Sequence, residues 1–283
     1  IKFDELLAQQ ISLKRHYDQR YARHAPPLIG TAQHNSLSQR LIAQLPFTLT
    51  DAQEKVWDEI RADLARVHPM QRLLQGDVGC GKTVISALAA AQAIDCGYQV
   101  ALMVPTELLA EQHFHKLSTW LTPLGIHIVL LSGNTRIKEK RHVHQQMSNG
   151  EAQLIIGTHA LIQKEVKFFR LGLVIVDEQH RFGVDQRLAL RQLGHVDKHF
   201  PHQLIMSATP IPRTLAMTYY TDLDISIIDA LPPGRTPVLT RVINNERRTE
   251  IIERVRAAAH EGRQIYWVCP LIEESEKLQL QTA

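Results

Sequence analysis

A glycine-rich run between an apolar and an alanine-rich segment carries the clearest chemistry in this 283-residue chain. Its spacing, Gly76-x-x-x-x-Gly81-Lys82-Thr83, is typical of a loop that turns backbone N–H groups onto phosphate at the positive end of a helix. We expect Lys82 to reach the outer phosphates of a nucleotide and the Thr83 hydroxyl to hold Mg²⁺. A glycine-rich turn before a helix is the alternative. The residues assigned to the nucleotide are Gly76, Asp77, Val78, Gly79, Cys80, Gly81, Lys82 and Thr83.

An acidic pair at the end of the predicted strand 172–177 supplies the second half of a hydrolytic site. Ligands bind at this carboxyl edge in open α/β sheets. We expect Asp177 to coordinate Mg²⁺ through water and Glu178 to act as general base. Gln179 and His180 follow where a polar pair can sense the γ-phosphate, and we assign Gln179 to coupling and His180 to catalysis. Ordinary surface acids at a strand end are the alternative.

Two further predicted sites rest on less specific sequence patterns. Ser207 and Thr209 place hydroxyls at a neighbouring strand end, either as a relay from the hydrolysis site or as a cap on a helix near Pro212. Gln53 has an amide that can read an adenine edge, although by itself it reads as an exposed helix residue.

The elements that position these residues alternate between strand and helix. Near-continuous apolar runs such as "LGLVIVDE" are typical of strands buried on both faces of a parallel sheet. The alternation predicts an α/β fold with right-handed crossovers. Predicted strands are 72–75, 99–104, 127–131, 153–157, 172–177, 203–207 and 225–229, and predicted helices are 82–95, 107–121, 137–148, 185–193 and 212–220.

The ends of the chain differ from this middle part. A helical lead-in is predicted over 1–46, and the proline-rich stretch 230–237 reads as a linker. The C-terminal segment 238–283 has too few elements to bury a core alone, and we interpret it as the start of a second domain. The predicted end elements are helices at 3–20, 35–45 and 246–260 and strands at 238–243 and 264–269.

Composition limits the function classes. The chain is 44% hydrophobic with a net charge of +3, which describes a globular protein and permits a nucleic-acid partner. There is no apolar run long enough for a membrane span and no signal peptide. Three cysteines without metal-ligand spacing favour a reducing cytoplasm, and most of the 15 histidines are predicted to be solvated. The chain starts at Ile1 rather than Met, so we expect a piece of a longer protein.

In order and spacing, the motifs resemble those of superfamily 2 helicases. They are Gln53, "GDVGCGKT", "PTELLAEQ", "GTHA", "DEQH" and "SATPIPRT". More narrowly, "DEQHRFGV", "ATPIPRTLAMT", "LPPGRTPV" and "GRQIYWVCPLIEESE" resemble the RecG family of bacterial branched-DNA helicases, over essentially the whole chain. Cys80 departs from the serine usual in the loop. The resemblance implies a RecA-like P-loop NTPase domain over 47–229, with a mainly parallel sheet, and the truncated start of a second RecA-like domain.

The resemblance also implies a partner and cofactors. These are branched double-stranded DNA (stalled forks and Holliday junctions), ATP and Mg²⁺, used by a monomer in the bacterial cytoplasm for recombination and repair. It implies DNA-backbone contacts at strand ends, where N–H groups and hydroxyls meet phosphates. Helix capping is the alternative for each contact. The residues concerned are Pro105, Thr106, Gly133, Thr158 and His159.

Two rival functions stay open at this point. One is the motor of a transcription-repair coupling factor, against which "DEQH" with "LIEESE" favours RecG. The other is an ATP-controlled protein-interaction switch, which has no reason to respond to branched DNA. The resemblance places arginine fingers beyond Ala283 and the DNA-splitting wedge before Ile1, so we expect the chain alone to be poorly active.

Overall fold

The computed structural model describes residues 7, 11, 14, 21–30, 36–133, 137–163, 165–178, 182, 193, 200–209, 223–230 and 238–268. The chain divides into two compact units, Ile1–Arg235 and Thr236–Ala283. The predicted helix 212–220 lies outside the described residues, and the predicted helices 3–20 and 185–193 lie almost wholly outside them.

The first unit is built on one parallel sheet. Its strands are β1 (Gln71–Gly76), β2 (Gln99–Met103), β3 (Ile128–Leu131), β4 (Leu154–Gly157), β5 (Leu171–Asp177), β6 (His202–Ser207) and β7 (Asp224–Ile228). They are ordered β3-β4-β2-β5-β6-β1-β7, and each neighbouring pair is parallel. The predicted α/β fold class is confirmed, and each strand predicted between residues 72 and 229 is present.

Helices cover the sheet. Those described in the first unit are α1 (Leu37–Gln44), α2 (Asp51–Leu64), α3 (Lys82–Asp95), α4 (Glu107–Leu121) and α5 (Ile137–Ser148). The second unit contains α6 (Arg248–His260). The bounds of α3, α4 and α5 are those predicted, and α1 lies within the predicted helix 35–45. The sequence pattern gave no bounds for α2, which opens with a capping box between Thr50 and Gln53.

Both faces of the sheet carry a core. Along β2, Val100 and Leu102 pack into one hydrophobic cluster, and Ala101 and Met103 pack into the other. This alternation is the period-2 geometry of a strand covered on both sides. Helix α3 is buried at every residue from Val84 to Ile94, because its alanines let it lie close against its neighbours.

Helix α2 is held against the sheet by a largely buried arginine, Arg72. The guanidinium of Arg72, on β1, donates to Asp63 (Nε to Oδ2, 2.8 Å) and to Glu59 (Nη1 to Oε2, 3.2 Å). It also donates to the Ser226 hydroxyl on β7 (2.7 Å). These bonds fix the second half of α2 beside β1 and β7.

The second unit contains one helix among its described residues. The helix predicted at 246–260 is confirmed as α6, preceded by a 3-10 turn at Asn245–Arg247. The predicted strands are not formed over 238–243 and 264–268. A strand needs a hydrogen-bonded neighbour, and the part of this unit that the structure describes offers none. Across the described residues of both units, no helix is long and apolar enough to cross a membrane.

Candidate nucleotide and nucleic-acid site

The loop after β1 curves around a lysine. Gly81 caps α3 at φ +102°, in the left-handed region that favours glycine, and a Cβ added there would overlap the Gln53 amide. The Lys82 ammonium donates to the carbonyls of Gly76 (2.6 Å) and Asp77 (3.1 Å). The loop and the start of α3 therefore gather a cation and a positive helix end at one place.

The middle of the loop is packed tightly. A Cβ added to Gly76 would overlap the sulfur of Cys80 and lie 3.2 Å from the Ile228 carbonyl of β7. Cys80 is buried, and burial raises the pKa of its thiol, so the side chain packs as a small apolar group. The departure from serine at this position therefore leaves the loop closed and well packed.

Gln53 lies against the loop instead of in solvent. Its side chain is only 3% exposed, which excludes the interpretation as an exposed helix residue. Its Nε2 donates to the Cys80 carbonyl (2.8 Å), and its Oε1 accepts from the Thr50 N–H (3.0 Å). Gln53 thus joins α2 to the loop, and its contact with adenine stays a prediction.

A cavity of about 1060 Å³ adjoins the loop, and it is at the upper end of the usual range for small-molecule sites. Part of its lining is aromatic, since Phe47 packs edge-on against Trp120. The Lys116 ammonium lies 4.9 Å from the Trp120 ring centroid. Sequence reasoning missed these three residues. The lining residues are Phe47, Thr48, Leu49, Thr50, Asp51, Ala52, Gln53, Gly79, Gly81, Lys82, Thr83, Val84, Lys116, Trp120 and Ala230.

The acidic pair ends β5, which is separated from β1 by β6 alone. Oδ1 of Asp177 accepts from the Glu178 N–H (3.0 Å), and Oδ2 lies 2.9 Å from Nε2 of His113. Among the described residues, Glu178 is the only residue other than glycine with a positive φ, which is 51°. Such a conformation costs about 1–3 kcal/mol and is typical of functional sites. Gln179 and His180 lie outside the described residues.

The oxygen donors suit magnesium. Mg²⁺ is usually held by one or two carboxylates together with substrate phosphates. The Thr83 hydroxyl and the Asp177 carboxylate are donors of this kind. Within the described ranges, no group of three or more His, Cys, Asp or Glu side chains could hold a metal by itself. The donor set therefore fits an ion shared with a phosphate.

Ser207 and Thr209 lie at the end of β6, the strand between β1, which precedes the phosphate loop, and β5, which precedes the acidic pair. The hydroxyls of Ser207 and Thr209 are 2.9 Å apart, and Gln75 of β1 donates to the Thr209 carbonyl (3.3 Å). These bonds connect the end of β6 to the strand that carries the phosphate loop. The predicted relay role stays a prediction, and the helix predicted near Pro212 lies outside the described residues.

The predicted DNA contacts follow β2, β4 and β3, which are neighbours in the sheet. Thr106 is exposed and caps α4, accepting from the Leu109 N–H (3.3 Å), and Pro105 precedes it. A Cβ on Gly133 would lie 3.4 Å from the Glu107 carboxylate, so the loops after β2 and β3 meet. The remaining two residues, Thr158 and His159, follow β4.

Those two residues differ in accessibility. Thr158 is buried, and its hydroxyl oxygen has no hydrogen-bond partner among the described residues. His159 is exposed at the start of a 3-10 turn. The predicted helix cap is formed at Thr106, whose exposed hydroxyl can also meet a phosphate. The Thr158 N–H bonds to the Leu131 carbonyl (3.4 Å), so the DNA contact of Thr158 stays a prediction.

Comparison with known proteins gives one family and one group of relatives. The DEAD/DEAH box helicase family matches residues 50–218. Curated relatives named ATP-dependent DNA helicase RecG include those of Pasteurella multocida, 55% identical over 282 residues, and Escherichia coli K12, 54% identical over 283 residues. Each alignment covers 99% of this chain and 40% of the relative. The chain thus spans about 40% of the length of these relatives.

Two solved structures of helicases are similar to this chain. A structure of RecG bound to a three-way DNA junction has a TM-score of 0.81 and 39% identity, covering 92% of this chain and 34% of that one. The DEAD-box helicase Mss116, bound to single-stranded RNA and UDP-BeF, has a TM-score of 0.52 and 17% identity over 68% of this chain and 42% of that one. The second likeness concerns the fold alone.

Proposed function

Because the chain belongs to the DEAD/DEAH box helicase family, we propose that it is the nucleotide-binding motor core of a RecG-type, ATP-dependent DNA helicase. One observation carries the proposal. The phosphate loop after β1, the acidic pair after β5 and the loops after β2, β3 and β4 all leave the carboxyl edge of one parallel sheet. The RecG relatives and the likeness to the junction-bound RecG support ATP and branched DNA as its ligands.

In this proposal the loop and its cavity hold ATP. Backbone N–H groups of residues 76–83 and the ammonium of Lys82 bind the phosphates, and the cavity beside Phe47 and Trp120 receives the base. Lys82 exchanges its bonds to the Gly76 and Asp77 carbonyls for bonds to phosphate. When bound with the nucleotide, Mg²⁺ neutralises charge on the phosphates.

The acidic pair divides the hydrolytic work. Asp177 and the Thr83 hydroxyl hold Mg²⁺, and Glu178 takes the proton of the attacking water as general base. Gln179 and His180 sense the γ-phosphate, with His180 in the catalytic group. Ser207 and Thr209 pass the nucleotide state on, which their bond to each other and to Gln75 supports.

The loops after β2, β3 and β4 hold the DNA backbone. Contacts to phosphate position a strand without reading its sequence. We assign this role to Pro105, Thr106, Gly133, Thr158 and His159.

The domain arrangement belongs to the same proposal. Residues 47–229 form the first RecA-like motor domain after a lead-in over 1–46, and 238–283 begin the second after a linker over 230–237. The division between Arg235 and Thr236 supports the linker. Action as a monomer in a bacterial cytoplasm is part of the proposal, and the bacterial organisms of the relatives support its bacterial part.

A chimera tests the proposal. This chain replaces the matching segment of Escherichia coli K12 RecG, with which it shares 54% identity. We expect forked DNA to stimulate ATP hydrolysis by the chimera more than linear duplex of equal length does. The same chimera with Lys82→Ala is the control and loses the stimulation. A chimera that folds and hydrolyses ATP without responding to DNA contradicts the helicase assignment.

A further inference from the structure

Helix α4 connects the loop proposed to contact DNA with the acidic pair at the end of β5. It begins beside Thr106, at the loop proposed to contact DNA, and carries His113 two turns further along. Nε2 of His113 lies 2.9 Å from Oδ2 of Asp177. An ionised carboxylate only accepts hydrogen bonds, so the histidine is the donor in this pair.

The position of His113 is one that packing alone would give to an apolar residue. The buried residues of α4 are Ala110, His113, Leu117 and Leu121, at the spacing of a single helix face. His113 is the polar member of this face and is only 9% exposed. A buried polar group is costly unless it is hydrogen-bonded, and here the hydrogen-bond partner is the carboxylate expected to hold Mg²⁺.

The Asp177 carboxylate is held from two sides. His113 donates to Oδ2 from α4, and the Glu178 N–H donates to Oδ1 from the turn after β5. The Glu178 N–H also lies 3.0 Å from the Met206 carbonyl of β6, which anchors that turn to the sheet. With both oxygens bonded, the plane of the carboxylate is fixed, and one of its two supports comes from α4.

We propose that His113 is a positioning residue for the metal site. It fixes the orientation of the Asp177 carboxylate from which Mg²⁺ is held, and it makes that orientation depend on the placement of α4. The proposal rests on the proposed function, because it assumes that Asp177 binds Mg²⁺ together with a nucleotide.

The test measures binding instead of turnover. The affinity of the 283-residue chain for a fluorescent ADP analogue, mant-ADP, is compared in MgCl₂ and in EDTA, and the ratio is the magnesium enhancement. His113→Leu fills the position with an apolar side chain and removes the donor, and His113→Gln restores an N–H donor. His115→Leu changes an exposed histidine of the same helix and is the matched control.

We expect His113→Leu to lower the magnesium enhancement roughly three- to tenfold, the effect of one hydrogen bond, and to leave the affinity in EDTA unchanged. His113→Gln and His115→Leu keep the wild-type enhancement. In a double-mutant cycle, His113→Leu adds no further loss to Asp177→Asn, because both changes act through one carboxylate.

Four results overturn the proposal. An unchanged enhancement in His113→Leu removes the positioning role and leaves the proposed metal site intact. Equal losses in MgCl₂ and EDTA, or an additive double-mutant cycle, assign His113 a purely structural role. A wild-type chain that binds mant-ADP without any magnesium enhancement overturns the proposed metal site itself, and the role of His113 with it.

Discussion

The side-chain amide of Gln53 donates a 2.8 Å hydrogen bond to the carbonyl of Cys80, which joins the first turn of α2 to the middle of the phosphate loop. The same amide lies where a Cβ on Gly81 would be. The glycine at the helix cap and the glutamine therefore depend on each other. A residue that the sequence assigns to the base of the nucleotide thus also supports the loop that surrounds the phosphates.

Gln53→Ala is expected to weaken binding of both mant-ADP and mant-GDP. Loss of the bond to Cys80 releases the loop from α2 and lowers the affinity for either nucleotide by roughly fivefold. The affinity for mant-ADP falls further, because the adenine contact is lost as well. Fluorescence titration measures both affinities.

Gln39→Ala is the control for this change. Gln39 forms the same kind of capping box with Ser36 at the start of α1. We expect it to leave both affinities unchanged. If Gln53→Ala leaves the affinity for mant-GDP at the wild-type value, the amide does not support the loop.

Glu178→Gln is expected to stop ATP hydrolysis and to leave nucleotide binding intact. The change keeps the shape of the side chain and removes the base, and general-base assistance contributes about 10²–10⁴-fold to a rate. The turnover of the chimera with and without the substitution measures the loss. Glu111→Gln, at an exposed position of α4, is the matched control. Unchanged turnover would assign the base to another residue.

A buried histidine makes stability depend on pH. His202 is fully buried; Nδ1 accepts from the Met70 N–H (3.0 Å), and Nε2 donates to the Pro26 carbonyl (2.8 Å). Burial lowers its pKa from 6.5 to about 4. Between these values the unfolded chain binds the proton more readily, so stability is fully present above pH 6.5 and is lost as the pH falls toward 4.

We expect the free energy of unfolding to fall by about 2 kcal/mol more in the wild type than in His202→Gln between pH 7 and pH 5. Glutamine has a donor and an acceptor but does not titrate in this range. Urea unfolding at the two pH values measures the difference, and His115→Gln, at an exposed site, serves as control. Equal pH dependence in wild type and His202→Gln would show that the buried imidazole is not the group responsible.

Most of the sheet could be predicted because its strands are apolar runs between helices of regular period. Local patterns place each strand but not its neighbours, so the insertion of β6 between β1 and β5 came only from the structure. The strands predicted at 238–243 and 264–269 failed where described, because extended residues without a neighbouring strand do not form a ladder.

The histidines illustrate what the sequence could not predict about burial. The sequence predicts that most of them are solvated, but His113 and His202 are buried. The sequence did contain a signal for the burial of His113, since this residue shares the helical spacing of Ala110, Leu117 and Leu121 on one face of α4. His202 has no such signal, because its partners lie 132 and 176 residues away in sequence.

The 283-residue chain by itself is expected to hydrolyse ATP slowly and not to unwind forks. The resemblance places the arginine fingers in a second motor domain, and such arginines contribute roughly 10³–10⁵-fold in related phosphoryl-transfer enzymes. DNA binding should be weak, because the proposed contacts in this chain neutralise few phosphates. ATPase and fork-unwinding assays beside the chimera measure both activities. If the isolated chain equals the chimera in either, the two-domain account is wrong.

Binding of Mg-ADP to the wild-type chain and to Lys82→Ala tests the central claim most directly. The Lys82 ammonium lies inside the loop that is proposed to surround the phosphates, and charge-assisted hydrogen bonds are the strong ones at such sites. Lys55→Ala removes an exposed cation from α2 and is the control. The account predicts a loss of affinity of roughly 10- to 100-fold for Lys82→Ala and none for Lys55→Ala. Equal affinities for the wild type and Lys82→Ala would contradict the assignment of residues 76–83 to a nucleotide.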